Sequence, residues 1–344
     1  MSVKTAVLHA VQRTASGAHA LAGAPFDPET PFHPPRGRYT TVHYGLMFPN
    51  LPAPLNFLDI IAVVGQPYIK LWRNGHLIRT TGRDTASLLV GSAVTFPGQF
   101  RGYSVSEEME LAADSSVVRF GSDLSLEGSY PDFTLTYDNP ACQIAFDIRA
   151  TDRIAHFAKV RGGLYDHWSL LCEYAGTVRH DGTTYELSGL STLEYARGTP
   201  LTLGFTFFTY QIINVDERTQ VLMVEVLGPA SVSVQQAVYV RSLDDHGGVY
   251  EDGFRFDVFD VEPEPRTTPN GLTMELGTRF EWSVDDENGD ELISIDGTTN
   301  DDYIFGMAGG YVGSYGYTGR FRGREISGTG YIEYIGRHRK ARRG

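Results

Sequence analysis

Cysteine is almost missing from this chain: only Cys142 and Cys172 occur. Two are too few for a disulfide framework, and neither belongs to a C-x-x-C pair of the kind that ligates metal. Whether the two bridge is left open. Long apolar runs are also missing, and none approaches a membrane span. The Ala-rich opening "MSVKTAVLHAVQRTASGAHALAGA" is interrupted by Lys4, His9, Gln12 and Arg13 before a signal-length run can form. The expectation is a soluble cytoplasmic protein. Positive charge is short, with 29 Lys and Arg against 42 Asp and Glu and a net charge of -13. Several of those cations crowd into the tail "RHRKARR" (337–343), which reads as a solvated end. So acidic a body repels phosphate backbones, which argues against nucleic acid as a partner.

Signature motifs are missing too. No G-x-S-x-G elbow with a following Asp and His, no phosphate-cradling glycine loop and no H-E-x-x-H occurs. The ten histidines form no cluster along the sequence, so neither metal nor cofactor is expected. "DDENGDE" (285–291) is dense in carboxylates but lacks the Gly at position six and the Glu at position twelve of an EF-hand calcium loop. It reads as a hairpin tip.

What the chain does have is glycine (38), tyrosine (19) and phenylalanine (19), the composition of short strands joined by tight turns. Period-two runs dominate from residue 39 onward, as in "TVHYGLMF", "FTLTYD", "CQIAFDIRAT", "TFFTYQIINVD" and "FRFDVFDVE". Breakers such as "DNP", "HDG", "TPNG" and "DENGD" fall between them. A 3.6-residue period is confined to a short helix expected over residues 3–13, with Val3, Val7 and Val11 on one face. Five prolines in "APFDPETPFHPPRGR" (24–38) then give an extended lead-in. The fold class is all-β.

The chain also repeats itself. "YELSGLSTLEYARG" (185–198) returns as "REISGTGYIEYIGR" (324–337). Upstream, Tyr174, Gly176 and Arg179 correspond to Tyr317, Gly319 and Arg322, and the offset between copies shrinks across the block. A period this long is that of a whole small domain. Two tandem antiparallel barrels or sandwiches follow, each closed by a terminal hairpin. Domain one is placed at 39–198 and domain two at 199–336, after the 1–38 helix and lead-in and before the 337–344 tail.

The ending "SGTGYIEYIG" (327–336) resembles the "GxGYxELTG" finish of the tandem lipocalin-like proteins. That family includes carotenoid 1,2-hydratases (hydroxyneurosporene synthases), AttH-type proteins and fungal decalin-forming Diels-Alderases. The resemblance implies two lipocalin-like barrels side by side and an apolar polyene or polyketide substrate that is hydrated or folded for cyclisation. In the family the first domain typically ends in a segment like "G-x-x-W-x-D-H-x-W-G". Here "GLSTLEYARG" puts Glu194 at the Asp, Tyr195 at the His and Arg197 at the last Trp.

Candidate chemistry falls on two stretches. Glu194 in a low-dielectric barrel could protonate an alkene with Tyr195 orienting it. The pair recurs as Glu333 and Tyr334, which favours architecture over catalysis. "GLYDHWSLL" (163–171) is not repeated; its counterpart, near residues 308–311, reads "AGGY". If Asp166 and His167 lie on a turn they can converge, carboxylate beside imidazole, for proton transfer near neutral pH. Trp168 could offer a flat ligand wall, with Tyr165 and Glu173 as further ligand contacts and His156 nearby. The expected function is binding of a hydrophobic small molecule (terpenoid, polyene or polyketide-like), with cofactor-free hydration, isomerisation or cyclisation of a double bond. The alternatives are a non-catalytic carrier and, least favoured, a carbohydrate-active sandwich.

Overall fold

A computed structural model describes residue 21 and residues 23–160, 163–200, 206–228, 231–307 and 309–336. The helix expected over residues 3–13 and the basic tail at 337–343 lie outside the described residues. Strands dominate. The first set is β1 (Thr41–Phe48), β2 (Leu58–Val64), β3 (Thr85–Ser92), β4 (Phe100–Ser104), β5 (Met109–Leu111), β6 (Val117–Phe120), β7 (Leu124–Ser129), β8 (Asp132–Asn139), β9 (Cys142–Lys159), β10 (Tyr165–His180) and β11 (Thr183–Gly198). They form an 11-stranded antiparallel sheet in the order β4-β3-β2-β1-β11-β10-β9-β8-β7-β6-β5. One helical turn, Val105–Glu108, joins its two ends and leaves the barrel nearly closed.

The second set is β12 (Phe207–Asn214), β13 (Thr219–Leu227), β14 (Ser233–Ser242), β15 (Gly248–Tyr250), β16 (Arg255–Val261), β17 (Arg266–Thr267), β18 (Thr273–Met274), β19 (Gly277–Asp285), β20 (Glu291–Thr299), β21 (Ile304–Met307), β22 (Gly310–Phe321) and β23 (Arg324–Gly336). Ten of these make a sheet running β15-β14-β13-β12-β23-β22-β20-β19-β16, with β21 paired to β22. In both sheets the last strand pairs with the first, β11 with β1 and β23 with β12.

The repeated block is the closing hairpin of each sheet, and its glycines have a steric cause. A Cβ on Gly176 would lie 2.0 Å from the Ala145 carbonyl oxygen, and one on Gly319 would lie 2.0 Å from that of Ser294. Tyr174 pairs across the hairpin with Gly189, and Tyr317 with Gly328, so each ring covers a bare backbone. Both hairpins end in a two-residue turn with positive φ, Asp181-Gly182 and Arg322-Gly323. The first arm runs to the pair His180 and Thr183, the second only to Phe321 and Arg324. The longer first arm explains the shrinking offset and corrects one correspondence: Arg179 lies on a strand opposite Thr184, whereas Arg322 sits in the turn.

Strands β1 to β3 are buried on both faces. Residues such as Tyr44, Leu46, Ile60 and Leu88 fill the first barrel. The alternate set, including Met47, Ile61 and Leu89, packs into one core with the second sheet. Period two therefore assigns one face of each strand to its own barrel and the other to the seam. The lead-in is more than a spacer: Phe26 packs into the first core, Phe32 meets Tyr195 edge-on, and His33 accepts the Tyr195 hydroxyl on its carbonyl at 2.8 Å. Among the described residues no helix is long and apolar enough to cross a membrane.

Candidate functional site

The seam faces of β1, β11 and β10 bring three polar side chains together. Ala196 on β11 pairs with His43 on one side and His167 on the other. Two residues earlier on the same face, Glu194 pairs with Gly45 and Ser169. Ala196 is small, so the imidazoles lean across it until their ring centroids are 6.0 Å apart at 89°. Gly45 makes room for that lean, because a Cβ there would sit 2.8 Å from His43 Nε2. From the second sheet, Tyr210 on β12 pairs with Glu333 on β23 and faces the same space.

Glu194 is only 2% exposed. Its Oε1 accepts the Tyr210 hydroxyl at 2.5 Å, and its Oε2 lies 3.6 Å from His167 Nε2. His43 Nδ1 is 3.1 Å from the Ala62 carbonyl. A carbonyl only accepts, so Nδ1 carries the proton and Nε2 keeps its lone pair. Beneath Ser169 lies the buried guanidinium of Arg241, donating to Ser169 Oγ at 3.0 Å and to Gln220 Oε1. Glu333, 5% exposed, lies within 3.0 Å of the Tyr331 hydroxyl, and Asp59 Oδ2 is 3.1 Å from that same hydroxyl. One phenolic hydrogen serves two carboxyls.

Burial drives the charges in this cluster, with one exception. It pushes Asp59 up to about 7 and His43 down to about 4, the latter aided by His167. Glu333 is held well above the usual carboxylate range by burial, then by the charges of Glu194 and Asp59. Glu194 feels the same burial, but His167, the Tyr210 hydroxyl and His43 outweigh it and leave the carboxyl below its ordinary value.

His43, His167, Glu194, Tyr210 and Glu333 form the buried end of a cavity of about 270 Å³ between the two sheets. Its walls are apolar, with Ile61, Val63, Trp72, Phe157, Phe208 and Val226 among them. Its rim includes Leu164, Lys159 and Tyr68, the last 58% exposed.

Of the residues singled out in the sequence, His167, Glu194, Tyr165 and Glu333 line the cavity. Tyr165 holds its hydroxyl 3.4 Å from His167 Nδ1. The others point elsewhere. Asp166 lies on the regular strand β10, not on a turn, so it faces away from its neighbour His167 and pairs with Arg197 at 2.7 Å. Arg197 thus holds that carboxylate. Tyr195 and Trp168 face the first barrel's core, with ring centroids 5.4 Å apart, so neither orients Glu194 nor walls the cavity. Glu173 is exposed, and His156 lies outside the cavity lining. His43, Tyr210, Asp59 and Arg241 carried no individual signal beyond a polar residue on an otherwise apolar strand. Among the described residues, His43, His167 and Glu194 are the trio whose donor atoms lie within 4.8 Å of one another.

Similar architectures are known. An AttH-like protein from Nitrosomonas europaea superposes with a TM-score of 0.59 at 12% identity, over 92% of this chain and 100% of that one. Kievitone hydratase from Nectria haematococca does so at 0.55 and 11% identity, over 92% and 95%. At such identities the likeness is one of fold, and it bears out the lipocalin-like architecture expected from the two hairpins. Among curated proteins none matches by sequence. The profile of a family of unknown function, DUF6670, matches residues 61–343, most of the chain, and the protein belongs to that family.

Proposed function

We propose that this protein binds an apolar small molecule of the terpenoid, polyene or polyketide class in the seam cavity and transfers a proton to one of its double bonds. The observation that carries this reading is an apolar cavity whose buried end holds a carboxyl that favours its neutral form, Glu333. A carboxylic acid kept protonated near neutral pH, away from water, is a competent general acid toward an alkene. Tyr331 supports it, since a single hydroxyl hydrogen between Glu333 and Asp59 leaves one carboxyl to carry its own proton. The apolar walls hold the double bond in place and exclude bulk water, so orientation supplies much of the rate. Acid-catalysed hydration, isomerisation and cationic cyclisation all begin with that protonation and differ in the fate of the cation: water adds and a proton is released, a different proton is lost, or a second double bond attacks.

Native mass spectrometry of freshly purified protein, followed by organic extraction, tests the binding. A retained apolar molecule, converted on incubation by wild type but not by the Glu333→Gln variant, is the expected result. A ligand bound and returned unchanged by wild type would make the protein a carrier. Failure to bind terpenoid, polyketide and fatty-acid panels would remove the reading altogether.

A further inference from the structure

We propose that His43, His167 and Glu194 form a binding site for one divalent first-row transition metal ion, zinc or ferrous iron, at the buried end of the seam cavity. This goes beyond the proton-transfer reading while building on the same cavity, and it replaces the expectation of a metal-free site. Two neutral imidazoles and one carboxylate make a donor set used for these ions, and it leaves positions open for water or substrate.

Three observations carry it. The donors are already gathered: all lie within 4.8 Å of one another, and His167 Nε2 is 3.6 Å from Glu194 Oε2. Donors about 2.1 Å from a shared ion in tetrahedral array are about 3.4 Å apart, so a small inward movement closes the set. Next, the donors are aimed. The His43 Nδ1 contact with Ala62 O fixes the tautomer that offers Nε2, and the Tyr210 hydroxyl anchors Glu194 through its other oxygen. Such outer contacts are what orient metal ligands in general. Third, His167 Nε2 is buried without a hydrogen-bond partner. At 3.6 Å its approach to Glu194 is too long for a hydrogen bond, and a buried ring nitrogen left so is costly. The backbone agrees with this use. Ala196 between the two histidines and Gly45 beside Glu194 are the small residues that let both rings converge.

The test uses full-length protein stripped with chelator and titrated calorimetrically with Zn²⁺ and, without oxygen, with Fe²⁺. One equivalent of metal per chain is expected, and metal analysis of the freshly purified protein, not relative affinity, identifies the resident ion. His43→Ala and His167→Ala should each weaken binding more than about 100-fold, and Tyr210→Phe by about 10-fold. Gly45→Ala removes no donor but obstructs the His43 ring, so it should also weaken binding. Co²⁺ added to wild type should give visible ligand-field bands that both histidine variants lose. Glu333→Gln should keep full metal affinity, which separates this proposal from the proton-transfer reading. Wild type that takes up no stoichiometric metal would overturn it even if an apolar ligand binds. Unchanged affinity in both folded histidine variants would do the same.

Discussion

Glu194 and Glu333 occupy the same place in two copies of one motif, on closing strands that meet back to back across a single cavity, yet their surroundings differ. Each is followed by a tyrosine that turns into its own barrel, Tyr195 toward Trp168 and Tyr334 toward Phe207. Each glutamate therefore faces the seam. Around Glu194 the first sheet supplies His43 and His167, and the second supplies the Tyr210 hydroxyl. Around Glu333 the partners are Tyr331 and, beyond it, Asp59. Burial is nearly equal, so it is the neighbours that favour the charged form at Glu194 and the neutral form at Glu333. A duplicated scaffold has thus produced two carboxyls with opposite proton preferences a short distance apart. Under the proposed proton transfer, such a pair would divide acid and anion roles.

Replacing each glutamate by its neutral isostere should break that symmetry most sharply. Glu333→Gln should lower turnover of the extracted ligand by about 10²- to 10⁴-fold, while leaving thermal stability unchanged or raised. Glu194→Gln should instead destabilise the fold by about 1.5 to 3 kcal/mol, because the Tyr210 hydroxyl loses its charged acceptor and the buried Arg241 a nearby negative charge. Denaturant melts of the two variants decide this. Equal losses of stability would mean that the two sites do not differ in charge. Infrared spectra above about pH 8, where Asp59 is ionised, give a direct check, since a protonated-carboxyl stretch should be lost in Glu333→Gln and persist in Glu194→Gln.

Asp59→Asn probes the acid side through pH. Asp59 sits at about 7 in the folded protein, raised by burial, against an ordinary value of 3.8. The folded state then binds more protons between those values, so stability falls as pH rises from about 4 to 7. The contribution is complete below the lower value and lost above the higher one. Three units correspond to on the order of 4 kcal/mol. Asn keeps an acceptor for the Tyr331 hydroxyl and does not titrate, so the variant should show a flatter stability profile across that window. An unchanged slope would exonerate Asp59.

Much of the fold was legible because the signals were local. Strand alternation, turn glycines and the duplicated hairpin all follow from steric needs that act between adjacent strands, such as the carbonyl oxygens facing Gly176 and Gly319. The site was legible only in part. Glu194 and His167 stood out, but their partners come from strands remote in sequence, and no periodicity shows that His43 and His167 flank Ala196. Glu333 was visible, and its recurrence reads as architecture; what the sequence does not show is that the two closing strands meet at one seam and bring it to the cavity lining. Asp166 failed for the opposite reason. The stretch around it is a regular strand, and alternation sends adjacent residues to opposite faces.

The smallest effects should come from the two tyrosines, and they sharpen the comparison because each removes one hydroxyl and nothing else. In Tyr210→Phe the lost hydrogen bond is to a carboxyl that favours the ionised form, and such bonds are worth about 1.5 to 3 kcal/mol. In Tyr331→Phe the lost donor served two carboxyls at least one of which is protonated, and a protonated acid can donate to its neighbour in turn. That change should cost nearer 1 kcal/mol. The order of the two, measured by urea melts near neutral pH, matters more than either value. If Tyr331→Phe proved the more damaging, Glu333 and Asp59 would have to be the ionised pair, and the acid would have to be sought at Glu194.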